Sequence, residues 1–398
     1  MRNTNELELL QITSITALSL VVYSSGYRKS ILNDFLFYIV PQYCAVMFPD
    51  RIWSTYLCLA MLFRYSQIQK STNSSEKTTV IGYLRFTISL IVVIAIYGVD
   101  FSIFDRRLGK SDFFGIQMMD IGVGSFIYNS GVVGWKGRPL RRCIRSYLVL
   151  VILGFVRYFV VKWFNIHVNP REYGIHLNFY FILAAVRLIC SLIGSRYNFL
   201  LGLFLITIYE VVLKFSGLVG FIFSDQRKTF LEMNKEGLVA VIPYTSIFLM
   251  ASEIGRICSS KDKVRSKGFQ VLRMSGIFGC LYAVSQLSNE GSRRLGNAGF
   301  VFWILTLHTL HMGIYMLFES VIVLHNPLTS MFCSSNMMFV FLFSNLIVLL
   351  GNFFYDLGSF SPLVAHLNIL SYLVLVFSIP ALLASRFDLR CVGLGYRS

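Results

Sequence analysis

Apolar runs separated by short breaks rich in charge or in Gly, Asn and Ser fill this chain almost end to end. An α-helix needs about 17–25 such residues to cross roughly 30 Å of hydrocarbon. On that pattern the sequence predicts about thirteen membrane spans. They fall near 7–24, 32–48, 51–64, 81–99, 113–135, 146–164, 174–194, 197–216, 236–252, 268–288, 299–323, 330–353 and 363–386. The third run is short, and the stretch around Pro41 and Asp50 also reads as one broken helix followed by another. The expectation is an all-α polytopic membrane protein, one integral domain over residues 1–398. There is no internal repeat, which argues against an inverted-repeat transporter.

Charge orients the spans. The chain has a formal net charge of +16, yet only 14% of its residues are charged and 55% are hydrophobic. In so apolar a chain, Lys and Arg in cytoplasmic loops explain that excess better than nucleic acid does. Loops after odd-numbered spans carry most of it, among them Lys136, Arg138, Arg141, Arg142 and Arg145, then Lys261, Lys263, Arg265 and Lys267. These loops and the C-terminus are expected in the cytosol and the N-terminus across the membrane. Glu6 and Glu8 against Arg2 lack the positive character of a cleavable signal, so the first span is expected to be retained. Asn73-Ser74-Ser75 fits a glycosylation acceptor, but this orientation places it in the cytosol, where it stays unmodified. The eight cysteines show no CxxC pair and no Cys/His spacing, so neither a disulfide framework nor a zinc site is expected.

Four polar motifs fall on the same non-cytoplasmic side: Asp100 to Lys110, Arg171 to Phe179, Asn234 to Gly237, and Ser292 to Asn297. Solvated interfacial charge explains any one of them. Four on one rim point to the mouth of an active site, since convergent polar groups are how apolar pockets fix a ligand.

Within the spans, Asp120 precedes Gly122 and Gly124 and reads either as a partner of neighbouring helices or as a substrate contact. Arg157 and Lys162 share the sixth span, Glu210 and Lys214 form an i, i+4 pair in the eighth, and pairing inside the bundle is the reading for these charges. His308 and His311 share a helical face but lack a third ligand, so helix packing is expected and no metal. Asn345 and Asn352 stand two helical turns apart and read as interhelical hydrogen bonds or headgroup contacts.

Several of these stretches carry a resemblance. Val99-Asp100-Phe101-x-Ile103-Phe104-x-Arg106-Arg107-x-x-Lys110, followed by Met119-Asp120-x-Gly122-Val123-Gly124-Ser125-Phe126, resembles the signature of the inositol acyltransferases of glycosylphosphatidylinositol-anchor synthesis, the PIG-W family. Glu172-Tyr173-Gly174-x-His176-x-Asn178-Phe179 is similar to that family's EYGVHWNF stretch, and Asn234-x-Glu236-Gly237 with Tyr244-x-Ser246-Ile247-Phe248 to its NREG and YCSIF stretch. Ser292-Arg293-Arg294-x-x-Asn297 with Trp303 resembles its SRRxxN segment, and Asn345 and Asn352 its paired asparagines. Three positions depart from the pattern: Asp105 stands for a proline, Leu177 for a tryptophan, and the loop near 253–267 is compact.

The resemblance implies transfer of a long-chain acyl group, typically palmitoyl, from acyl-CoA to the inositol 2-hydroxyl of glucosaminyl-phosphatidylinositol. It also implies a multi-pass protein of the endoplasmic reticulum with thirteen spans, a luminal N-terminus and a cytosolic C-terminus. Asp100 then becomes the expected general base and Lys110 its electrostatic partner. Arg106, Arg107, Asp120, Glu172, His176, Asn178, Arg293, Arg294, Asn345 and Asn352 become expected substrate contacts, with the two arginines of the first motif on the phosphate. Acyl-CoA serves as co-substrate, membrane lipids surround the chain, and no cofactor, nucleic acid or obligate protein partner is expected. The Lys136 to Arg145 loop is a candidate for the CoA phosphates, though positive-inside anchoring explains it equally. A lipid flippase without covalent chemistry is the alternative from another class. A membrane-bound O-acyltransferase of the histidine type would need His308 or His311 in a different context.

Overall fold

The computed structural model describes residues 6–26, 30–65, 68–70, 79–135, 140–166, 168–193 and 197–386. Asn73, Lys136, Arg138 and Arg2 lie outside them, as do the side chains of Arg141 and Arg142. Among the described residues the chain is helical, with isolated bridges Lys70 to Ile322 and Gly115 to Ser292 as its β-type pairing.

The helices, in order, are α1 (Glu6–Ser25), α2 (Ile31–Met47), α3 (Pro49–Leu62), α4 (Val80–Gly98), α5 (Ile121–Gly134), α6 (Leu140–Trp163), α7 (Phe179–Ile193) and α8 (Asn198–Phe215). They continue as α9 (Leu218–Phe223), α10 (Phe230–Cys258), α11 (Val264–Gln286), α12 (Ala298–Val321), α13 (Leu328–Ser335), α14 (Met337–Phe354) and α15 (Pro362–Ser385).

Every predicted span meets a helix, but among the described residues eight helices are long and apolar enough to cross a membrane, or up to nine when α2 and α3, bent by 115° at Phe48, count together. The difference from thirteen has local causes. The run 113–135 is α-helical only from Ile121, because Asp120 gathers the preceding segment into a polar turn. The run 174–194 supplies only the 15 residues of α7, since residues up to Asn178 form a loop over the rim. Arg265, Lys267 and Arg273 lower the hydropathy of α11. The run 330–353 breaks at Asn336 into α13 and α14, of which α14 keeps the span.

Burial divides the bundle. α4, α10 and α12 are enclosed, while α6, α8 and α14 turn Phe155, Phe159, Phe204, Leu346 and Phe353 outward, as helices facing lipid tails do. Glycines let enclosed helices touch: a Cβ at Gly255 would lie 2.0 Å from the Val132 carbonyl oxygen, and one at Gly131 2.4 Å from that of Phe248. α5 and α10 therefore cross backbone to backbone.

Candidate functional site

α4 ends at Gly98, and its last carbonyls need partners that the helix no longer supplies. The backbone N–H groups of Val99, Asp100 and Phe101 serve the Ala95, Tyr97 and Gly98 oxygens, and Arg106 braces the turn beyond, its guanidinium donating to the Val99 oxygen at 2.7 Å and to the Phe101 oxygen at 3.4 Å. That turn holds Asp100 at the rim, partly buried. Asn352, near the end of α14, donates its amide to Asp100 Oδ2 at 2.7 Å. Burial raises the Asp100 carboxyl above the usual carboxylate range, and the Asn352 hydrogen bond and the Arg106 charge offset part of that rise.

Arg107 points the other way. It pairs with Asp105 at 2.6 Å, with Glu8 at 3.2 Å and with Asp50, binding the loop to α1 and to the α2–α3 corner. Asp105 also accepts the Arg107 backbone N–H at 3.0 Å, which gives a structural use to the acid that stands where the resemblance has a proline.

Lys110 does not pair with Asp100; it donates to Glu172 Oε1 at 2.5 Å. Burial would raise the Glu172 carboxyl, but Lys110, Arg293 and Arg157 together hold it below its ordinary value. Asp120 is wholly buried and fully used: Oδ2 accepts from the Ser111 N–H at 3.0 Å, the Ser111 hydroxyl at 2.8 Å and the Gln117 N–H at 3.0 Å, while Oδ1 pairs with Arg293 Nε at 2.9 Å. It is an anchor between the loop before α5 and the loop before α12. Burial opposes the charge on Arg293, and Asp120 with Glu172 outweighs it, raising the guanidinium further.

Arg294 meets Glu236 at 3.2 Å, Arg227 meets the same carboxylate at 2.5 Å, and Phe113 and Phe223 present their rings to Arg294. The His176 N–H donates to Asn234 Oδ1 at 2.9 Å, and the two side chains meet at 3.1 Å. This contact needs Gly174, whose φ is +94° and whose Cβ would lie 2.5 Å from the Asn234 Cα. Asn178 donates to the Gly154 oxygen at 2.9 Å and accepts the Tyr180 N–H at 3.0 Å, starting α7.

The four polar motifs are therefore one network. Lys110 to Glu172 joins the first and second, Asn234 to His176 the second and third, Glu236 to Arg294 the third and fourth, and Asp120 to Arg293 returns to the loop after the first. Asn345 stands apart from it, donating to the Phe341 oxygen of its own helix at 2.6 Å. Glu210 does not pair with Lys214; it accepts the Ala298 N–H at 2.8 Å and caps α12. His308 meets the Ser125 hydroxyl at 2.6 Å. Among the described residues no three His, Cys, Asp or Glu side chains are grouped to hold a metal. Sequence reasoning missed the pairing of Arg227 with Glu236 and the place of Arg157 on the α6 face that meets the loop before α7. The one signal for Arg157 was a cation in an apolar run.

A family model described as GWT1 matches residues 2–383. The chain belongs to the GWT1 family. An uncharacterized protein of Arabidopsis thaliana is 29% identical over 378 residues, covering 88% of this chain and 86% of its own length. The phosphatidylinositol-glycan biosynthesis class W protein of Dictyostelium discoideum is 27% identical, with 80% of each chain covered. The Homo sapiens glucosaminyl-phosphatidylinositol-acyltransferase PIGW is 26% identical over 334 residues, covering 71% of this chain and 66% of its own. The resemblance stated from the motifs thus holds along nearly the whole chain.

Proposed function

We propose that this chain is the acyltransferase that acylates the inositol of glucosaminyl-phosphatidylinositol in glycosylphosphatidylinositol-anchor biosynthesis, with a long-chain acyl-CoA, palmitoyl-CoA among them, as donor. One observation carries the reading: motifs dispersed from Asp100 to Asn297 converge in a single charged network at the end of α4. The names of the human and Dictyostelium relatives support the substrate class. The proposed setting is the endoplasmic reticulum membrane, with about thirteen passages, a luminal N-terminus and a cytosolic C-terminus, as the division of Lys and Arg between loops supports. The shorter or more polar helices α2, α3, α5, α7 and α11 would supply the additional passages.

An inositol hydroxyl is a weak nucleophile, and a positioned base speeds its attack by about 10²–10⁴-fold. In this mechanism Asp100 takes the hydroxyl proton as the oxygen bonds to the thioester carbonyl carbon. Lys110 stabilises the oxyanion, the C–S bond breaks, and the CoA thiolate leaves. The raised Asp100 carboxyl suits a base, and Glu172 holds the Lys110 ammonium in place. The test is to incubate membranes containing the full chain with acyl-CoA and glucosaminyl-phosphatidylinositol. An acylated inositol is expected, and lipid movement without acylation would support the flippase instead.

A further inference from the structure

Most cations at this rim already have partners. Arg106 lies on backbone carbonyls, Arg107 on Asp105, Asp50 and Glu8, Lys110 on Glu172, Arg293 on Asp120, and Arg294 on Glu236. Arg157 differs. It sits in the apolar stretch Phe155-Val156-Arg157-Tyr158-Phe159 of α6, and among the described residues no hydrogen bond or ion pair holds its guanidinium. A cation within a membrane helix is costly and marks function by default.

Its surroundings place it at the site. Gly154, Arg157 and Tyr158 share one face of α6, and the loop before α7 lies on that face: Asn178 donates to the Gly154 oxygen at 2.9 Å, and the His176 ring is 6.2 Å from that of Tyr158. Where α6 ends, Phe164 packs against Phe353 with ring centres 6.4 Å apart, one residue beyond the Asn352 that holds Asp100. The charge of Arg157 is felt at Glu172 and Tyr173. Glu172 and Asp120 are already paired with Lys110 and Arg293, so Arg157 brings a positive charge that neither ion pair uses.

We propose that Arg157 binds the phosphodiester of the inositol phospholipid acceptor. The proposal rests on the function above and deepens it. A phosphodiester carries one negative charge, opposite to that of Arg157, and a guanidinium grips it with two parallel N–H donors. In such a lipid the phosphate is borne on the ring carbon next to the 2-hydroxyl. Fixing the phosphate therefore fixes the nucleophile, and a long arginine stem can carry its head from the helix to the polar rim. Arg106 and Arg107, expected from the sequence to hold this phosphate, are committed elsewhere.

The test compares wild type with R157Q and R157K as full chains in detergent. For R157Q the KM for glucosaminyl-phosphatidylinositol should rise about ten- to a hundredfold, as loss of a charged hydrogen bond does, with kcat and the acyl-CoA KM nearly unchanged. R157K keeps the charge without the fork and should lose less, and it serves where R157Q fails to accumulate. An unchanged acceptor KM, or equal rises in both KM values, would overturn the proposal. Native mass spectrometry of bound glucosaminyl-phosphatidylinositol needs no turnover. Binding weakened about tenfold in R157Q, with phosphatidylcholine binding unchanged, supports the assignment. Equal weakening of both lipids makes Arg157 a general headgroup anchor and refutes it. Wild type that binds the lipid without acylating it counts against the function alone.

Discussion

Asn352 donates its side-chain amide to Asp100 across 2.7 Å and so ties the C-terminal ends of α14 and α4 together at the charged rim. The bond does two things at once. It aims the carboxylate, and by favouring the ionised form it opposes the upward shift caused by burial. Asp100 acts as a base only when ionised, so activity should fall as the pH drops through its raised pKa. N352L removes the opposing bond and should move the acid limb of the kcat/KM profile to higher pH by about one to two units, as loss of a charged hydrogen bond worth 1.5–3 kcal/mol requires. An unmoved limb would separate Asn352 from the base. D100N, in protein that accumulates normally, should abolish inositol acylation.

The Lys110–Glu172 pair predicts a different signature. Glu172 is held low by Lys110, so its contribution to stability is present above the ordinary carboxylate pKa and is lost as the pH falls through the folded value. K110M leaves Glu172 half-buried without its nearest cation, and the low-pH edge of thermal stability should move to higher pH. The same variant should lose about 10²–10³-fold in kcat if the ammonium faces the oxyanion. K110R, which keeps the ion pair, should restore the stability edge while recovering only part of the rate. Melting temperatures across pH, beside single-turnover rates, separate the two effects.

Much of this site is written in the chain as polarity out of place. Asp100, Glu172, Glu236 and Arg293 interrupt apolar runs, and the alternation of loops suffices to put them on one rim. Their pairing is not written there. Lys110 stands ten residues from Asp100 but reaches Glu172, because Arg106 turns the chain back over the end of α4. Hydropathy places Asp120 inside a span, since it cannot register three hydrogen bonds that convert the start of that run into a buried turn. Arg157 is hidden for the opposite reason. Its neighbours in sequence face lipid, and only the fold lays the loop before α7 against its side of the helix.

Gly174 joins the second and third motifs by letting the loop lie on α10. G174A brings a Cβ against the Asn234 Cα and the Met233 oxygen at a backbone angle that L-residues avoid. The His176–Asn234 contact should open, and activity should fall with a modest loss of melting temperature, since the helices beneath are untouched. Limited proteolysis is the check: faster cleavage between residues 164 and 178 is expected, and a wild-type pattern would show that the loop docks without the glycine.

Asp120 and Arg293 form the pair on which the rest of the rim stands. Both are buried, with side-chain exposures of 0% and 7%, and their ion pair at 2.9 Å bridges the loops before α5 and α12. Cutting one partner leaves the other charged in a dry place, a loss of about 3–5 kcal/mol. R293M and D120L should therefore each lower thermal stability sharply and take activity with it. The double change removes both charges together, so it should be less damaging than the sum of the two single variants, although Ser111 and Gln117 would still lose an acceptor. The deciding measurement is a double-mutant cycle of melting temperatures in detergent. Strictly additive losses would mean that the two residues act on the fold independently and that the buried pair does not hold the loops together.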